Sequence, residues 1–96
     1  MASKFRVCGH QTEGSVHLKL LGDLDDSSVL ELIDILKKRR PGLYRVVIHT
    51  AGLENVSPVA CGNLRSTLLS LKMQSDRLAF TGEYAARMAP NKDYLM

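Results

Sequence analysis

The chain has 96 residues, 45% of them apolar and only 5% aromatic, so its length points to one domain, residues 1–96, closed by an aliphatic core. Thirteen basic against ten acidic residues leave +3, too mild a charge to imply nucleic acid as a partner. Two cysteines, Cys8 and Cys61, make no disulfide framework and fit a reduced cytoplasmic setting.

No apolar run approaches the roughly 20 residues that cross a bilayer, and Met1 to Phe5 lacks the apolar core of a signal peptide. Lys4 to Cys8 alternates weakly, with Phe5 and Val7 on one face and Arg6 and Cys8 on the other. Gln11-Thr12-Glu13-Gly14 reads as a turn. Ser15 to Leu21 alternates cleanly, with Val16, Leu18 and Leu20 inward and His17 and Lys19 outward. The two segments predict a hairpin. Gly22 to Asp26 breaks the second strand.

A first helix is predicted from about Ser27 to Arg39. Ser28 and Glu31 have capping-box spacing, and Asp25 and Asp26 sit where a helix start favours acids. Val29, Leu32, Ile33 and Leu36 form its buried stripe. Lys37 to Arg40 supplies cations at the negative end, and Pro41-Gly42 stops it. Lys19 and Arg45 are candidates to extend that basic run, whose plainer reading is a solvated helix end.

Tyr44 to His49 is a β-branched run that predicts a buried strand, followed by a loop from Thr50 to Val56. Ser57 then stands as N-cap and Pro58 as first residue of a second helix. Cys61, Leu64, Leu68 and Leu71 mark its apolar face. Gly62 inside this helix costs about 1 kcal/mol against alanine, which predicts a close helix–sheet or helix–partner approach. Arg77 to Thr81 predicts another strand ended by Gly82. Glu83 to Met88 predicts a short third helix, terminated by Pro90-Asn91. Asp93 to Met96 is either an edge strand or a frayed tail. The order β-β-α-β-α-β-α implies an α/β fold. It is a mixed β-sheet of four to five strands with right-handed crossovers and helices packed on it.

This pattern resembles the STAS family, which includes sulfate-transporter C-terminal domains and bacterial anti-sigma-factor antagonists. Gly22-Asp23-Leu24-Asp25 matches the family's G-x-L-D ahead of the first helix. Val46-Val47-Ile48-His49 matches its central strand, which usually ends in Asp. Val56 to Leu64 matches the hydrophobic-D-S-S-G-L-x-x-L stretch that opens its second helix, and Gly82 fits the small residue after the next strand. The resemblance covers roughly residues 4 to 90. Against that pattern, Ser57 falls at the family's Asp, Pro58 at the serine that kinases phosphorylate, Val59 at the following Ser/Thr and Ala60 at the Gly. Proline has no hydroxyl, so the usual phospho-switch cannot operate there. The final strand and helix of the family look shortened at the C-terminal end.

The resemblance implies a STAS-like fold and a non-catalytic protein-binding role in bacterial cytoplasmic signalling and transcription regulation. The implied partner is an anti-sigma-factor, kinase-like or other regulatory protein. The predicted docking residues are Asp23, Asp25, Asn55, Ser57, Pro58, Val59 and Asn63. Ser57 is also a candidate phosphoacceptor, its plainer role being the cap. Asp23 and Asp25 are candidates to hold a cation or a partner's basic group, their plainer reading being turn and cap residues. An alternative is an anion- or nucleotide-binding accessory domain of a transporter, using the second helix N-terminus. Cys61 on the apolar stripe reads as a buried thiol rather than a nucleophile. His10, His17 and His49 show no metal-ligand spacing, and no cofactor or membrane insertion is predicted. His49, expected at the strand end beside the Ser57 loop, is the histidine placed to tune partner binding.

Overall fold

The structure is a computed structural model that describes residues 5–38, 45–71 and 77–95. In chain order it contains β1 (Arg6–Thr12), β2 (Ser15–Leu24), α1 (Asp26–Lys38), β3 (Arg45–Val56), α2 (Pro58–Ser70), β4 (Leu78–Thr81) and α3 (Ala85–Met88). A 3-10 turn, Lys92–Tyr94, follows. The strands form one four-stranded mixed sheet, as predicted, and lie in the order β1-β2-β3-β4. β1 and β2 are antiparallel, while β3 lies parallel to both β2 and β4.

The hairpin turn is tighter than the sequence suggests. β1 runs to Thr12 and pairs it with Ser15, leaving Glu13-Gly14 to turn the chain. Gly14 makes this possible at φ +80°, a conformation open to glycine without a Cβ penalty. The alternating apolar residues of β2 then point to one side, where Val16, Leu18 and Leu20 are buried. Val46, Ile48, Leu78 and Phe80 face the same way from β3 and β4. The stripes of α1 (Val29, Leu32, Ile33, Leu36) and α2 (Ala60, Cys61, Leu64, Leu68) join them in a single core cluster. Each leucine fully removed from water there contributes about 1.5–3 kcal/mol relative to exposure. The helices therefore occupy one face of the sheet.

Several boundaries differ from expectation, each for a local reason. Gly22 does not break β2; it takes φ +88° at a register irregularity and the strand continues to Leu24. β3 extends to Val56, so the predicted Thr50–Val56 loop is strand, paired through Asp23–Asn55 and Leu24–Val56. The length comes from pairing with β2, which local propensity does not register. α1 is capped by Asp25 and not by the Ser28–Glu31 box: Asp25 Oδ1 accepts from Ser28 N at 2.9 Å and from Ser28 Oγ at 3.0 Å. Leu71 leaves the α2 stripe because the helix ends before it, and it is 36% exposed. β4 begins at Leu78 rather than Arg77, and α3 begins at Ala85 rather than Glu83. The last edge strand reduces to one bridge between Leu95 and Phe80. Tyr44, Arg39, Arg40 and Pro41-Gly42 lie outside the described residues.

Gly62 is the clearest packing surprise. A Cβ built on it would meet nothing nearer than the Arg65 guanidinium tip at 4.0 Å. The close helix–sheet approach expected for it is absent. Gly52 and Gly82 are the tight glycines instead, with backbone or side-chain oxygens at 2.7 Å and 2.6 Å from the added carbon.

Candidate functional site

Parallel crossovers return each helix antiparallel to its strands, so α1 and α2 both start at the carboxyl end of the sheet. The chain passes straight from β2 into α1 and from β3 into α2, and Ser57 N donates to Leu24 O at 3.0 Å across the two connections. This stitch sets the two helix starts side by side. Asn55 Nδ2 donates to Asp23 Oδ1 at 2.9 Å, and Asn63 Nδ2 donates to Asp26 Oδ1 at 3.1 Å. The predicted docking residues are thereby gathered at one end of the molecule.

Ser57 is the N-cap of α2, with extended backbone and its Oγ accepting from Ala60 N at 3.3 Å. Pro58 occupies the first turn and is exposed. Val59 follows at 66% exposure, a β-branched apolar side chain held out to solvent. Asn55, on the strand and not in a loop, ties β3 to Asp23. Asp25 is committed to the α1 cap. The Ser28 backbone N–H, then the Ser28 hydroxyl, hold its carboxyl below the usual carboxylate range.

The sequence places Gly22 to Asp26 beside the docking surface, and the structure gives Asp26 a specific part in it as the α1 partner of Asn63. One further member, Leu30, is not among the predicted residues. Leu30 is the most exposed large apolar residue described, at 72%. Its signal was present: it falls off the stripe of Val29, Leu32, Ile33 and Leu36, so a leucine stands on the polar face of an amphipathic helix. It lies one turn beyond Asp26, on the same side of α1. Val59 lies one turn before Asn63 on α2. The Asp26–Asn63 bond joins these two rows, and Val59 and Leu30 flank it as the apolar members of a polar frame.

His49 is not part of this surface. Because β3 continues to Val56, about 25 Å of extended chain separates His49 from Ser57. It sits mid-strand on the face away from the helices, where His17 Nδ1 and His49 Nε2 are 2.8 Å apart. Their rings stack with centroids 5.0 Å apart and 29° between planes. Burial first, then the neighbouring His17 and Lys19, pull the His49 pKa below the ordinary histidine value. Lys19 lies on that same face and so is divided by the sheet from Lys38 on α1; the two do not form one basic patch.

Cys61 is buried in the core, and burial pushes its thiol up, against the smaller opposing effects of Arg65 and Arg87. A protonated, enclosed thiol is a poor nucleophile. Among the described residues no three His, Cys, Asp or Glu side chains are grouped to hold a metal. A groove lined by Val7, Gly9, Leu18, Ile35 and Lys38 lies beneath the last turns of α1, roughly 18 Å along that helix from the candidate surface. No helix among the described residues is long and apolar enough to cross a membrane. No protein-family model, curated protein or solved structure matches the chain.

Proposed function

We propose that the protein is a non-catalytic, STAS-like interaction domain of bacterial cytoplasmic regulation. It docks a regulatory protein of the anti-sigma-factor kinase type through the paired starts of α1 and α2. The observation that carries this reading is the exposed Val59 and Leu30 astride the Asp26–Asn63 bond. An apolar pair inside a polar, hydrogen-bonded frame has the anatomy of a small protein interface. Its polar groups already have partners within the chain, so a partner protein does not have to satisfy them on docking. Pro58 stands where antagonists of that family carry their phosphorylated serine, which leaves the surface permanently in the unphosphorylated form.

Calorimetric titration of the chain with the anti-sigma-type kinases of its own bacterium tests the reading. Binding by one of them, weakened tenfold or more by Val59→Asp, is expected, because an unpaired carboxylate would be buried at the contact. Equal binding by the variant, or no binding to any such kinase, removes the proposal. Incubation with that kinase and ATP is expected to leave the intact mass unchanged. Stoichiometric phosphate on Ser57 would establish the shifted switch instead.

A further inference from the structure

The folded chain sorts its charges in a way that its total of +3 conceals. The sheet face turned away from the helices carries Arg6, Cys8 and His10 from β1, His17, Lys19 and Leu21 from β2, Arg45, Val47 and His49 from β3, and Ala79 from β4. Of these, Arg6, Cys8, His10 and Lys19 are exposed, His17, Leu21, Arg45 and His49 half-buried, and Val47 and Ala79 buried. Register places them in rows: His10 beside His17 and Val47, and Cys8 beside Lys19 and His49. All three histidines of the chain are therefore on this face. The described acids lie elsewhere: in the Glu13 turn, at the carboxyl ends of β2 and β3 (Asp23, Glu54), on the helices, or in their connections.

The cations of this face are uncommitted. Among the described residues Arg6, Lys19 and Arg45 make no ion pair, whereas Lys38 on the helical face pairs with Asp34 at 3.0 Å. Arg45 Nε is buried without a hydrogen-bond acceptor.

We propose that this sheet face, exposed along β1 and β2, binds a single strand of nucleic acid. Arg6, Lys19 and Arg45 would meet phosphates, and the imidazole rings of His10, His17 and His49 would stack on bases. Three features select this occupant. The large apolar side chains described as exposed, Leu30, Val59, Leu69 and Leu71, are all on the helical side, and Leu21 on this face is half-buried, so the face exposes no large apolar side chain of the kind a protein partner requires. Its combination of cations with flat rings on an open sheet is the chemistry that single strands use. A duplex fits poorly: its bases are stacked on one another and offer no free face to the imidazole rings.

The test is fluorescence anisotropy of a labelled twelve-nucleotide oligouridine titrated with the full chain. Three phosphate contacts give a slope of log affinity against log salt of about −2, a roughly twentyfold loss between 50 and 200 mM. Arg6→Ala with Lys19→Ala, both exposed and remote from the core, is expected to halve that slope or better while the circular dichroism stays unchanged. No binding at 200 μM protein in 50 mM salt overturns the proposal. So does binding that the double variant leaves intact, equal binding of a duplex of the same length, or equal competition by polyglutamate at matched charge. Val59→Asp is expected to leave oligouridine binding untouched, so the outcome is independent of the helix-tip proposal.

Discussion

Replacing Gly62 by alanine is expected to stabilise the protein. Gly62 is interior to α2, five positions into Pro58–Ser70, where glycine costs about 0.8–1.0 kcal/mol against alanine. That cost is normally retained because a Cβ would collide with something. Here the nearest atom is the mobile end of Arg65 at 4.0 Å, ordinary van der Waals distance, so the methyl group finds room. No opposing strain offsets the gain, which leaves close to the full 0.8–1.0 kcal/mol. For a chain of this length that raises Tm by about 4–8 °C, or the urea midpoint by about 0.5–1 M. Urea melts followed at 222 nm measure it directly, with an unchanged slope showing that the comparison is valid. A lower midpoint would refute the packing argument, because it would mean that the space around Gly62 is not open. The gain also carries a functional corollary. Gly62 adjoins Val59 and Asn63 on the exposed side of α2, so the proposed docking at this helix start gives a reason for a glycine that the fold does not need: close approach of the partner. The alanine variant should therefore bind that partner more weakly while being the more stable protein.

Gly82→Ala is expected to act in the opposite direction, losing about 1–3 kcal/mol in the same urea assay. Gly82 sits at φ +108°, and an added Cβ would meet Thr50 Oγ1 at 2.6 Å and Ala51 N at 2.8 Å. An unchanged or raised midpoint would show that the β4–α3 turn relaxes freely. Stability is also expected to fall below about pH 6.5, as the unfolded His49 takes up a proton that the folded state resists. The sign follows from the depressed folded pKa: the contribution is present above the unfolded value and is lost as pH falls through the folded one. A second proton would break the His17–His49 hydrogen bond and set two like charges 2.8 Å apart. His49→Gln should flatten this part of the urea-midpoint profile between pH 7.5 and 5.5, and an unaltered profile would place its origin elsewhere.

The sheet was legible because its information is local. Val16, Leu18 and Leu20 alternate on β2, and the stripe from Val29 to Leu36 has the helical period, so faces could be assigned before any contact was known. The Ser57-Pro58 pair fixed the start of α2 to the residue, since cap and first-turn proline act within one turn. What failed was non-local. β3 runs seven residues past its β-branched core because β2 offers a partner for Leu53, Asn55 and Val56. Nothing in Thr50 to Val56 announces a strand on its own. The role of Gly62 failed likewise, since whether a Cβ has room depends on neighbours that no spacing reveals.

The same distinction separates the two proposed surfaces. The helix-tip residues are close in sequence to their structural signals, Asp25 to the α1 cap and Ser57, Pro58 and Val59 to the α2 start, so motif reading gathered most of them. The open face depends on strand register. Arg6, His17, Lys19, Arg45 and His49 come from three strands and share no motif. Each occupies an outward position in its own alternation, which by itself reads only as a solvated side chain. Pairing turns those outward positions into one continuous surface and leaves its cations without acids. A net charge of +3 spread evenly would weigh little in any encounter. Three cations without an ion pair among the described residues, beside stacked imidazoles and with the described acids carried to the helices, turns and strand tips, set a local field that the total does not show. It is the register of β1, β2 and β3, more than composition, that gives this protein a face fit for a polyanion.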